Sequence, residues 1–467
     1  MGYEIMISRI KNHLYNAEQI DWNHQTFTRA ELWKLLYPLM LEQLLTSFMG
    51  MADTMMVTRA GSEAISAVSL VDSINILVIQ ILSALAAGGT IICSQYIGHK
   101  DYKRCNDAAR QVVITVLMIS VPLSVFCLLF RKPLLGLVFG SVDPAVMENG
   151  VIYFLYTSIS FPFLALFESG AAFYRAGGNS RFPMTLSLIS NCLNIFGNAV
   201  LIFGLHMGVA GAAISTLLSR IFSAVIIFWF LRKPRQPIVI DHYLSIRPDF
   251  RLIHKVLAIG VPSGVENGMF QFGKLAIQSS VSTLGTINIA ANAMMIIFEN
   301  LNGIGGIGIG IGLMTVVGQC IGAGKLEEAR YYIVKISMIA EAVVLASCAV
   351  VFAIAKPVMW IAGMDPEAAN ICFKMLIYVS IVKPIVWILA FIPAYGMRSA
   401  GDVKFSMIAS SITMWCCRVL VTTVLIRVFG IGPIAVWIGM SLDWLARGIV
   451  YSLRYRSGKW LNHSVIS

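Results

Sequence analysis

The sequence predicts an all-α, polytopic membrane protein with twelve transmembrane helices in two parallel six-helix repeats. Three observations carry that prediction. First, 57% of the 467 residues are hydrophobic and only 13% are charged, whereas a soluble domain carries about a quarter charged residues. Second, the apolar residues come in runs of roughly 20 separated by short charged stretches, the length a helix needs to cross a bilayer; barrel strands would need only about ten alternating residues. Third, the chain is duplicated. Displaced by 224 positions, the second half overlays the first without a gap: Pro38 falls on Pro262, Glu42 on Glu266, Gly61 on Gly285, Gly88 on Gly312, Gln95 on Gln319 and Gly98 on Gly322. With a one-residue shift, Arg175 and the segment after it fall on Arg398 and its segment. Long duplication in an apolar chain is a common way to build a transporter.

In chain order, residues 1–31 are polar and mixed in charge, without the apolar core and cleavage site of a secretory signal, so the first span is expected to direct insertion. The spans are expected at 32–58, 64–93, 110–130, 150–173, 182–204, 208–231, 256–283, 287–318, 329–354, 369–396, 404–426 and 431–453. They divide the chain into a cytoplasmic segment (1–31), a first lobe (32–231), a linker (232–255), a second lobe (256–453) and a tail (454–467). Most Lys and Arg residues lie on the side of the termini, and only Arg59, Arg131, Lys132, Lys356 and Arg427 fall on the other. The positive-inside rule then makes both termini cytoplasmic. The net charge of +11 is thereby a topology signal, and nucleic acid is not an expected partner. Six spans per copy make the repeats parallel, related by an axis along the membrane normal. Pro234, Pro237 and Pro248 mark the linker as a polar connection about which two bundles can rock.

The nine cysteines show no metal-ligand spacing, and disulfides are not expected. Span 8 contains a glycine-rich run from Gly303 to Gly312, matched in span 2 by Ser83, Ala84, Ala86, Ala87, Gly88 and Gly89. Two readings stand: close helix packing, or a pliable helix beside a substrate path. Pro38, Pro122, Pro162, Pro262, Pro384 and Pro393 lie inside spans and read as kinks.

Eight acids lie within spans: Glu42, Asp53, Asp72, Glu168, Glu266, Glu299, Glu341 and Asp443. An ionised side chain at the bilayer centre costs at least ~2.5–3.5 kcal/mol, so each needs a function or a partner. Asp53 lies ~8 Å below the outer end of span 1 at 1.5 Å per residue. Asn194 and Asn198, spaced i,i+4 on span 5, share a face, and Asn198 reaches a depth similar to that of Asp53; Thr216 of span 6 sits there too. One carboxylate, two amides and a hydroxyl at one level suit a hard cation such as sodium, or a proton on Asp53. The other reading is hydrogen bonding that only holds the bundle together. Glu42, Glu266, Glu299 and Asp72 are candidates for substrate attraction or coupling, with pairing to Lys274, Lys383 and Arg418 as the structural alternative. Glu168, Glu341 and Asp443 read as structural. All seven histidines lie in loops or at span ends, so carboxylates would carry any coupling proton. No catalytic constellation, cofactor motif or phosphate loop is present. An enzyme is not expected, and an ion gradient is the expected energy source.

These residues resemble the multidrug and toxic compound extrusion (MATE) family over about 30–455: the Met-Ala-Asp53-Thr motif, the Gln95-Tyr-Ile-Gly98 and Gln319-Cys-Ile-Gly322 turns, Arg175 to Pro183, Asn194 to Asn198, and Gly208 to Thr216. The resemblance implies two six-helix lobes in the bacterial inner membrane. It implies export of amphipathic, cationic organic compounds against inward sodium or proton flow, with Asp53, Asn194, Asn198 and Thr216 as the cation site. A monomer surrounded by lipid is expected. Span 10 has no acid, only Lys374 and Lys383, where some members have one. Two rivals remain: a flippase for lipid-linked saccharides from the same superfamily, whose cavity would be rich in Lys and Arg, and a non-transporting scaffold or receptor.

Overall fold

The computed structural model describes residues 14–58, 61–140, 142–234, 236–240 and 247–465. Among these residues there is no β-strand. The helices are α1 (Arg29–Thr58), α2 (Ser62–Gly98), α3 (Tyr102–Leu129), the short α4 (Arg131–Phe139), α5 (Pro144–Ala176), α6 (Arg181–Gly204), α7 (Gly208–Leu231), α8 (Phe250–Val281), α9 (Thr286–Gly322), α10 (Leu326–Ile361), α11 (Pro366–Ser399), α12 (Val403–Arg427) and α13 (Ile434–Ser457). Ten are long and apolar enough to cross a membrane. The remaining two long helices, α1 and α8, have 30 and 32 residues, ~45 Å or more at 1.5 Å per residue. Their apolar character is diluted by the buried carboxylates Glu42 and Glu266. They complete the twelve spans, so the protein is a multi-pass, all-helical membrane protein. The short α4 is an addition to the helices expected from the sequence.

Local chemistry sets the helix ends. Asp101, Asp143 and Asp365 each accept a backbone N–H of the turn that follows, and Pro144 and Pro366 occupy the first turns, where no N–H is missed. The α6 helix widens to a π-turn over Ala199–Gly204, where Leu205 N donates to Val200 O at 2.9 Å. A second π-segment, Thr413–Leu420, interrupts α12. Such insertions are frequent beside functional sites.

The chain forms two compact units. One contains Met1–Met40 and Gly268–Ser467, the other Leu41–Asn267. The divisions therefore fall inside α1 and α8, not at the linker, so the first part of each copy's leading helix is packed with the other copy's second helix.

Within the Leu41–Asn267 unit, α2 meets the first part of α8 at Gly88 and Gly260. A Cβ on Gly260 would stand 2.7 Å from Leu85 Cδ2 and 3.1 Å from its Cα. The described linker packs in this unit too: Val239 N donates to Asn106 Oδ1 at 3.0 Å, and Gln111 bonds both Arg247 O (2.9 Å) and Asp249 N (3.0 Å).

Within the other unit the related crossing joins α9 to the first part of α1. A Cβ on Gly308 would lie 2.8 Å from Leu39 O and Met40 N, and one on Gly306 2.7 Å from the Trp387 ring. Gly310 similarly faces Tyr395, and Gly312 faces Leu36. The glycine run is thus packing surface on several sides, which supports the first of its two readings. The segment before α1 is tied down: Tyr332 O–H donates to Phe27 O at 2.6 Å, and Tyr455 O–H to Leu14 O at 2.8 Å.

Gly308→Ala should cost ~1–3 kcal/mol through overpacking and lower the thermal unfolding midpoint of the purified protein. Gly136→Ala on α4, where nothing lies within 4 Å of the new Cβ, should leave it unchanged or raise it. Equal tolerance of both changes would contradict the packing reading.

Candidate functional site: a cation locus on α1, α6 and α7

Small residues bring α6 and α7 together. A Cβ on Gly197 would collide with Ser215 Oγ, and one on Gly211 would come within 3.0 Å of the Leu201 backbone. This close approach lets the polar side chains of α6 reach both α7 and α1. Asn198 is fully buried, and its Nδ2 donates to Asp53 Oδ1. With the Asn194 amide oriented to satisfy both its ends, its Nδ2 also donates to Asp53 Oδ1 at 3.2 Å, and its Oδ1 accepts from Thr216 Oγ1 at 3.2 Å. Asp53, Asn194, Asn198 and Thr216 therefore form one connected group, which the sequence predicted from depth and helical face.

The group is incomplete as hydrogen bonding alone. Asn198 Oδ1 is buried and has no hydrogen-bond partner, which costs about 1–3 kcal/mol. Asp53 Oδ2 likewise accepts no hydrogen bond among the described residues. Two acceptor oxygens, one carrying a formal charge, are left for a further electrophile. Such oxygens suit a hard cation, or a proton that converts Asp53 into a donor. Among the described residues no group of three or more His, Cys, Asp and Glu could hold a metal ion.

Asp72 extends the acidic region. It accepts from Asn75 Nδ2 at 3.1 Å. Arg220, whose Nη1 donates to Ser160 Oγ at 2.7 Å, has Asp53, Asp72 and Glu168 as its acidic neighbours. Arg220 was not picked out from the sequence.

The other candidate acids are compensated or set apart. Glu42 accepts from Arg175 Nη2 at 2.9 Å. Glu299 accepts from Lys383 Nζ at 2.8 Å, and the same ammonium donates to Glu299 O at 2.9 Å. Lys383 is fully buried and fits because Gly303 has no side chain: a Cβ there would stand 3.0 Å from Nζ. Glu299 thus has its charge neutralised within its own helix bundle, the pairing that stands as the structural alternative in the sequence. Glu266 is buried and belongs with Glu42 in the Leu41–Asn267 unit, not with Glu299. Asp443 accepts from Arg447 Nη2 at 3.0 and 3.2 Å.

Removing one partner of a buried pair strands the other. Glu299→Gln should cost about 3–5 kcal/mol, read as a lowered unfolding midpoint, and Glu299→Gln combined with Lys383→Met should recover most of the loss. Additive losses in the double variant would contradict the pairing.

Comparison with known proteins places the chain in a family. The chain is 28% identical to the "Probable multidrug resistance protein NorM" of Thermotoga maritima, over 98% of both chains. It is 25% identical to the "Uncharacterized transporter YisQ" of Bacillus subtilis, over 92% of this chain and 94% of that protein. It is also 25% identical to the "Multidrug resistance protein PmpM" of Pseudomonas aeruginosa, over 83% and 82%. Among solved structures it matches a "multidrug resistance MATE family transporter of the MOP superfamily" in an outward-facing conformation, with a TM-score of 0.85 at 20% identity over 91% of this chain and 95% of that one. The MatE family profile matches twice, at residues 38–200 and 262–424, in the register of the duplication. Both copies are accounted for, and the chain belongs to the MatE family.

Proposed function

We propose that this protein is a secondary antiporter that exports amphipathic organic compounds in exchange for a sodium ion or a proton. The observation that carries the reading is that, among the described residues, Asp53 Oδ2 and the buried Asn198 Oδ1 accept no hydrogen bond within a group whose other members are bonded to one another. In this reading Asp53 and Asn198 hold the coupling ion, and Asn194, oriented by Thr216, braces the Asp53 carboxylate beside it. Asp72 and Arg220 set the local charge balance, and no bound cofactor is needed. Curated relatives named as multidrug resistance proteins support the cargo class. A cationic end on the cargo suits the acidic surroundings of Asp53. Two six-helix lobes about the 232–255 linker, working as a monomer in a bacterial inner membrane with both termini cytoplasmic, complete the proposal.

An ion that binds one conformation better than another shifts the equilibrium by that difference in affinity, and the shift drives cargo the other way. Asp53→Asn removes the charge and keeps the shape. It should abolish efflux of a fluorescent organic cation from cells that express the protein at wild-type level, and Asn198→Ala should weaken the ion dependence roughly tenfold. In proteoliposomes, collapse of either the sodium or the proton gradient should stop wild-type transport. Normal efflux by Asp53→Asn, or transport indifferent to both gradients, would refute the reading.

A further inference from the structure

Between α11 and α13, both in the Gly268–Ser467 unit, runs an open groove of about 390 Å³, within the ~300–1,000 Å³ of small-ligand pockets. Ile385 and Leu389 of α11 form one wall. Leu445, Ile449 and Leu453 of α13, four residues apart and so on one face, form the other. These five side chains are 47% to 67% exposed. Trp444, itself buried, closes the groove from the protein side. The two helices touch at Gly448, where a Cβ would stand 3.3 Å from Leu389 Cβ, so a side chain at that position would narrow the space between them.

The polar groups collect at one end. Ser452 and Arg456 line the groove near the end of α13, and neither side chain makes a hydrogen bond or an ion pair among the described residues. Arg454, by contrast, is held by Asp402 at 2.7 and 3.1 Å. A cation in a last turn complements the helix dipole wherever it points, and the dipole does not account for its place at the mouth of an apolar groove. From Leu445 to Arg456 is eleven residues, ~17 Å at 1.5 Å per residue. One leaflet of hydrocarbon is about 15 Å thick, half of a ~30 Å core. The groove therefore spans one leaflet, with its cation at headgroup depth.

We propose that this groove binds one phospholipid with an anionic headgroup: an acyl chain lies between α11 and α13, and Arg456 and Ser452 hold the phosphate. The site takes nothing from the export reading except the orientation of the chain, which assigns the lipid to the cytoplasmic leaflet. Contacts along the acyl chain give little selectivity, because lipid tails elsewhere in the bilayer are equally apolar. Selection rests on the guanidinium, whose fork of N–H donors matches a phosphate, and on the Ser452 hydroxyl beside it. A net negative headgroup adds attraction that a zwitterionic one cancels.

The test is native mass spectrometry of the full-length protein, released from micelles that hold equal amounts of phosphatidylglycerol and phosphatidylcholine with the same acyl chains. Wild type should retain one lipid, phosphatidylglycerol over phosphatidylcholine roughly fivefold (~1 kcal/mol). Arg456→Gln should bring the ratio near one, and Arg456→Lys should keep most of it. Ser452→Phe fills the mouth of the groove and should abolish retention. Lys404→Gln removes an exposed cation of α12 outside the groove and should change nothing. Arg456 and Lys404 are exposed, so their variants empty no core position.

No preference in wild type, or a preference lost as much in Lys404→Gln as in Arg456→Gln, would reduce the effect to general surface charge and overturn the proposal. Retention that survives Ser452→Phe would place the lipid elsewhere and overturn it too. Displacement of the lipid by inorganic phosphate would make Arg456 a plain anion site. A protein dimer without lipid, lost in Ser452→Phe, would give the groove to a second copy. Either result overturns the proposal. Transport plays no part in the readout: loss of efflux with intact Arg456-dependent retention would refute export and leave the lipid site standing.

Discussion

Charge in a low-dielectric medium is the constraint on which the rest of this structure depends. Each ionised side chain within a span must be offset by a partner, by hydrogen bonds or by a ligand. Glu42 with Arg175, Glu299 with Lys383, and Asp443 with Arg447 meet that demand inside the protein. Asp53 meets it only in part, through two amide donors on one oxygen. The pairs hold helices together, and the group left open around Asp53 has the chemistry of a ligand site. The same physics accounts for both groups.

Glycine placement makes this pairing possible. Gly303 leaves space for Lys383 Nζ to reach Glu299, and Gly197 lets α6 approach α7 so that Asn194 meets Thr216. Gly88 and Gly312, one position in the repeat, lie where the leading helix of the other copy crosses. In lipid, association rests on packing and interhelical hydrogen bonds, with no hydrophobic drive between helices. Small residues at the crossings therefore contribute directly to both the fold and the site.

Much of this was legible in the sequence. The duplication, the twelve apolar runs and the grouping of Asp53, Asn194, Asn198 and Thr216 needed only run length, helical rise and the i,i+4 rule. Helix ends in water were less visible, because an apolar run does not show where a helix continues past it: α3 starts at Tyr102, capped by Asp101, well before the run expected from 110. The pairing of Asp443 with Arg447 had a local signal, the i,i+4 spacing, yet Asp443 reads from sequence as an acid without a partner. Arg220 had none, since its acidic neighbours come from three different helices.

Residue-resolved labelling with a hydrophobic carbodiimide, read by mass spectrometry, separates open from compensated acids in one measurement. Asp53 should be modified and should be protected when the coupling ion is supplied, while Glu42, Glu299 and Asp443 stay unmodified behind their Arg and Lys partners. Modification of Glu299 or Asp443 as fast as Asp53, or an Asp53 that does not react under any ionic condition, would contradict the division between structural pairs and an open cation site.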